Sequence, residues 1–231
     1  MRPLHWVIKS TDLARTLSFY AATLGFKVLR HEEFLEGCEA TCNGKFGGAW
    51  SKTMIGKDSE TTGFCLEVIF NYGVREYRPR GNAFGKLKVR DGVDGERWKA
   101  AKEWWKKQDD VGVSALLGED RMVKDPDDNV LEFVQIRADD VDEDIVAVSL
   151  NVTNVRRSME FYGRAFLASV MRDDGSNVMI RFGPKGTAVE LVEVKQEIIQ
   201  GEAQGRFATE TDDGEPDALS KRVGEAHVIH G

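Results

Sequence analysis

Residues 4–30 read LHWVIKSTDLARTLSFYAATLGFKVLR. Leu4, Trp6 and Ile8, with Val7 between them, suit a buried strand over residues 4–9. Thr11 or Asp12 stands where a side chain can accept from the free N–H groups of a first helical turn. Leu13, Leu17, Tyr20 and Leu24 then recur at helical spacing and form one apolar face. Gly25 falls where a left-handed residue would end that helix, and residues 26–29 open a second strand. The unit is strand, capped helix, strand.

The same unit returns at residues 145–172. A shift of 142 lays Thr11 on Thr153, Phe19 on Phe161, Tyr20 on Tyr162 and Arg30 on Arg172, without a gap. A repeat of that length indicates a duplicated domain and not a short-period solenoid. Between the copies, strands are expected at residues 50–55, 64–70, 84–89, 112–117, 121–123 and 130–136, with a helix over 96–108. In that helix Trp98, Ala101 and Trp105 share a face, and its tryptophans read as packing residues. Asp125-Pro126-Asp127-Asp128-Asn129 is a turn, since proline presets one angle and Asx side chains cap the next. Later strands are expected at 177–182 and 188–194, and a fourth unit begins near Gly205, with a helix over 216–226. The expected fold is α+β, a tandem array of βαβββ modules. The acidic segment 137–144 divides it into a first domain, 1–137, and a second, 144–231. In the second domain the fourth module lacks its last strands, leaving an edge that another chain could complete.

The 231 residues include 41% apolar side chains, and no run approaches the roughly 20 apolar residues of a spanning helix. The opening residues show no signal-peptide pattern, so a cytoplasmic protein is expected, with a mitochondrial address as the alternative. A net charge of −7 argues against a general nucleic-acid binder. Cys38, Cys42 and Cys65 lack the partners of a zinc site and read as free thiols. The Asp-rich segments 125–128 and 139–144 lack the spacing of an EF-hand loop. His227 and His230 read as solvated terminal residues.

These repeated units, with a carboxylate in their last strands, resemble the glyoxalase I, or vicinal-oxygen-chelate, superfamily. HWVIKSTDLARTLSFYAATLGFKVLR is similar to its opening, LEVIFNYGV to its second metal-ligand strand, and DPDDNVLEF to its final turn and strand. The loop RHEEFLEGC…CNGKFGGAWSKTM is similar to the glyoxalase domain-containing protein 4 branch, whose members have four modules. The resemblance implies a Zn²⁺ or Ni²⁺ site held by carboxylates and imidazoles, acting on the hemithioacetal of glutathione and methylglyoxal. It implies His5, Glu67 and Glu132 as metal ligands, with Glu132 also the proton-moving base. Lys9, Asn71 and Lys86 fall at substrate-side positions, and Lys86 stands where the family pattern has a third ligand, His. A protonated lysine has no lone pair for a metal.

In the second half Ala147 takes the place of His5, Glu190 keeps the carboxylate, and Arg206 takes the place of the second His. The expected activity is therefore a lactoylglutathione-lyase-like isomerisation of a glutathione adduct, with a homodimer as one arrangement. The alternative is a non-catalytic binding protein that keeps the fold, with Glu132 or Glu67 salt-bridged to Lys86. Iron-dependent dioxygenase chemistry, a third reading, wants two His where one candidate remains.

Overall fold

In the computed structural model the described residues are 1–108, 121–135, 143–184, 186–203 and 205–210. The strand expected at 112–117, most of the linker, the helix over 216–226 and His227 and His230 lie outside them. The chain folds into two sheets with three helices among the described residues. The first module supplies β1 (Arg2–Ser10), α1 (Leu13–Leu24), β2 (Lys27–Phe34), β3 (Trp50–Gly56) and β4 (Cys65–Asn71). The second supplies β5 (Phe84–Arg90), α2 (Glu96–Lys106), β6 (Met122–Lys124) and β7 (Val130–Val134). The third supplies β8 (Ile145–Val152), α3 (Val155–Phe166), β9 (Ser169–Asp173), β10 (Asn177–Arg181) and β11 (Ala188–Glu193), and the fourth β12 (Phe207–Glu210).

The first sheet runs β12-β1-β4-β3-β2 and the second β6-β7-β5-β8-β11-β10-β9. Each sheet therefore takes strands from both sides of the 137–144 boundary: module one pairs with module four, and module two with module three. Gly205 fits that join. A Cβ there would lie 2.1 Å from the Val7 carbonyl oxygen, so the chain could not approach β1 with a larger residue.

Local chemistry sets α1 as expected. The Asp12 side chain accepts from the Arg15 N–H, and Gly25 ends the helix at φ 69°. Its buried face (Phe19, Tyr20, Leu24) joins Trp6, Ile8, Leu66 and Val68 of the first sheet and Leu87, Val89, Leu131 and Phe133 of the second in one core. Each such side chain contributes roughly 1.5–3 kcal/mol when fully buried. From α2 the core takes Ala101, Trp104 and Trp105, while Trp98 is only partly buried against it. The Trp104 Nε1–H donates to Ser18 Oγ at 3.1 Å, and the Trp105 Nε1–H to the Lys124 carbonyl at 2.9 Å.

One expectation is corrected. Cys38 and Cys42 are joined as a disulfide, because the turn that returns the Thr41 N–H to the Cys38 carbonyl brings their Cα atoms to 5.5 Å. Cys65 remains a free, buried thiol, and burial pushes it up to about 11.

Candidate functional site

The faces of the two sheets turned away from the shared core carry the charged strand residues. On the first, β1 and β4 run parallel with His5 beside Cys65 and Val7 beside Glu67, so His5 and Glu67 project from one face. His5 Nε2 lies 3.2 Å from Glu67 Oε2, and both side chains are mostly buried. Burial lowers the His5 pKa, outweighing the Glu60 charge that would raise it. Burial likewise raises the Glu67 pKa, against the pull of Lys52 and Arg30. Desolvation thus opposes both charges more than their attraction favours them. A neutral imidazole keeps a lone pair for a metal.

Lys9 and Asn71 lie further along the same face, each bound within the chain. Lys9 Nζ donates to the Glu202 carbonyl at 2.5 Å and sits over the Phe46 and Tyr77 rings. The Asn71 amide donates to Tyr77 Oη at 3.1 Å and to the Asn43 carbonyl at 3.1 Å, and accepts from Asn43 Nδ2 at 2.8 Å. Val7, Ile69 and Trp50 pack there against Phe34, Cys38 and Cys42. The loop that carries Cys38 to Phe46 therefore lies over this face. Arg206 fastens it from β12's side, donating to the Ala40 and Thr41 carbonyls at 3.0 and 2.6 Å.

Glu132 is on the other sheet. The expected trio His5, Glu67, Glu132 is divided because modules one and two contribute to different sheets. Lys86 Nζ stands 2.9 Å from Glu132 Oε2 and Lys88 Nζ 3.8 Å from it, while Lys88 also binds Glu190. The Lys86 contact balances charge without hydrogen-bond alignment, so Glu132 Oε2 is buried without a hydrogen bond. Glu190 is better satisfied: Ser149 Oγ donates at 2.7 Å and Asn177 Nδ2 at 3.0 Å. Burial pushes its carboxyl up, but the Lys88 and Ser149 bonds outweigh that and hold it below the ordinary range. Lys88 was not singled out by sequence reasoning. Its alternation with Lys86 along one strand, placing both on one face, was the available signal.

The sheet registers match residue for residue. Ala147 stands beside Ala188 and Ser149 beside Glu190, as His5 stands beside Cys65 and Val7 beside Glu67. Across the module joint, Lys88 faces Ala147 and Ala208 faces His5.

A bound divalent ion needs several hard or borderline donors. His5 and Glu67 fit two of those positions. Glu132 and Glu190 do not fit as they stand, since an ammonium lies between them. Among the described residues no three His, Cys, Asp or Glu side chains gather to hold a metal ion.

No family model matches the chain. A curated relative from Caenorhabditis elegans, glyoxalase 1, is 30% identical over 226 residues, 98% of this chain and 75% of the relative. Its Caenorhabditis briggsae counterpart is 34% identical over 90% of this chain and 69% of the relative. Glyoxalase domain-containing protein 4 of Mus musculus is 27% identical over 99% of the chain and 74% of the relative. Among solved structures, glyoxalase I from Zea mays superposes with a TM-score of 0.70 at 25% identity, covering 98% of this chain and 79% of that one. With these relatives and the paired βαβββ sheets, the chain belongs to the glyoxalase I, or vicinal-oxygen-chelate, superfamily.

Proposed function

We propose that the chain is a lactoylglutathione-lyase-like protein, working on the glutathione hemithioacetal of methylglyoxal at its first sheet. The observation that carries this reading is the imidazole–carboxylate pair His5–Glu67, at 3.2 Å on one face of β1 and β4. His5 and Glu67 would hold Zn²⁺ or Ni²⁺, which when bound supplies polarisation of the substrate's neighbouring oxygens. His5 offers its lone pair in the neutral form that burial favours. Glu67, 3.2 Å from His5, is the carboxylate we place to take and return a carbon-bound proton. Glu132 we assign to the second sheet, as the partner of Lys86.

A second reading, a binding protein without turnover, is favoured by one observation: Asn71 is bonded to the Asn43 carbonyl of the loop and Lys9 to the Glu202 carbonyl, so both are engaged within the chain and not turned to a ligand. Metal content before and after chelation, paired with a lactoylglutathione-formation assay, separates the two. About one metal ion per chain, with activity lost on chelation and in Glu67→Gln but kept in Glu132→Gln, supports the lyase. Protein that stays metal-free and inactive after Zn²⁺ or Ni²⁺ addition leaves the binding reading.

A further inference from the structure

The two sheets repeat each other in register, yet they exchange a large and a small side chain across the module joint. In the first sheet His5 faces Ala208. In the second, Ala147 occupies the place of His5, and Lys88 occupies the place of Ala208. The space above the conserved carboxylate is thus filled from β8's equivalent strand in one sheet and from the neighbouring module in the other. We propose that the Lys88 ammonium is the resident cation of the second sheet, holding Glu132 and Glu190 together and excluding a divalent ion from that face.

Three observations support it. Lys88 is within ion-pair reach of both carboxylates, which no other described side chain is. Glu190 is 2% exposed, and three of the about four acceptor sites of its carboxylate are taken by Lys88, Asn177 and Ser149, with the Lys88 ammonium already supplying the balancing charge. With Lys86 beside Glu132, two ammonium groups balance two carboxylates. An incoming divalent ion would meet the like charge of two ammonium groups already paired with the carboxylates it needs. A buried ion pair of this kind persists because removing one partner strands the other. The assignment stands whether or not His5 and Glu67 bind metal.

The test is equilibrium dialysis against Ni²⁺, carried out in a His5→Ala background so that the first sheet is silent. The His5→Ala chain should take up no Ni²⁺ that depends on Glu190. Adding Lys86→His and Lys88→Ala should create a site for about one Ni²⁺ per chain, weakened roughly ten-fold or more by a further Glu190→Gln. Lys88→Gln, which keeps a hydrogen-bond donor for Glu190, is the companion should the alanine variant fold only with metal. In it the metal-dependent rise in melting temperature should exceed that of the parent. The proposal is overturned if the variants fold and gain no Ni²⁺, or if the His5→Ala chain already holds an ion that Glu190→Gln removes. Failure of the lyase reading would appear separately, as absence of metal from the unaltered chain.

Discussion

Helices α1 and α3 stand at equivalent places in modules one and three, and among the described residues only α1 has an acidic turn against it. In α1, the Thr11 hydroxyl and N–H and the Thr16 hydroxyl donate to Asp127 at 2.6–2.8 Å, and Tyr20 Oη donates to Asp125 at 2.9 Å. Thr153, Ser158 and Tyr162 occupy the same three places on α3, where they line an open cavity of about 390 Å³. The Tyr162 ring packs on Phe166 and Phe182, while among the described residues its hydroxyl has no acidic turn to meet. An amphipathic pattern therefore specifies a face that wants covering. On α1 the cover comes from a turn more than 100 residues away, so the pattern of the helix does not itself say what meets it.

The largest effect should come where the halves differ in charge. Lys88→Met strands a buried carboxylate and should cost about 3–5 kcal/mol in urea denaturation, whereas His5→Ala at the matching site should stay within about 1 kcal/mol. Equal losses would show that the second sheet tolerates an unpaired Glu190. Next, Asp127→Ala removes the acceptor for three donors of α1 and should cost about 2–3 kcal/mol. Ser158→Ala on α3 should change stability by less than about 0.5 kcal/mol.

A pH titration sharpens the same contrast. Burial, and then the Asp127 charge, push Asp125 up to about 6. A carboxyl raised in the fold binds more protons folded than unfolded. Its contribution is therefore fully present below about pH 4, is lost as pH rises through about 6, and is level above that. Asp125→Asn should flatten that limb, which for one group cannot exceed about 1.4 kcal/mol per pH unit. An unchanged limb would mean that other carboxylates carry it. The smallest effect concerns the helix ends. Gly25 and Leu167 are equivalent and both left-handed, at φ 69° and 54°. Gly25→Ala should cost about 1 kcal/mol, and Leu167→Gly should gain about 0.5–1 kcal/mol, because Leu167 is exposed and has little packing to lose.

Much of this was legible beforehand. The 142-residue shift, the caps at Asp12 and Gly25, and the strand carrying Glu67 follow from local periodicity and turn chemistry. Sheet membership was not, because hydrogen-bonded pairing between modules leaves no periodic trace. For that reason Glu132 could be grouped with His5 and Glu67 on the linear chain, although it faces Lys86 in space. Asp125 and Asp127 read only as a turn, since a DPDDN string looks the same whether its carboxylates meet water or the hydroxyls of α1. The cysteine pair was misread because compartment and spacing say nothing of a turn that draws two thiols together.

The pairing of β1 with β12 also has a meaning in time. Arg2 is matched to Glu210, so the first strand made is completed by one of the last described. At synthesis rates of roughly 5–20 residues per second, the wait between the end of β4 and the start of β12 is about 7–27 s. Throughout that interval β1 presents an open edge to whatever else the nascent chain meets, and the second sheet itself gains β11 only shortly before β12 is made. His5 and Glu67 are thus brought side by side by β1 and β4 long before the far edge of their sheet can be covered.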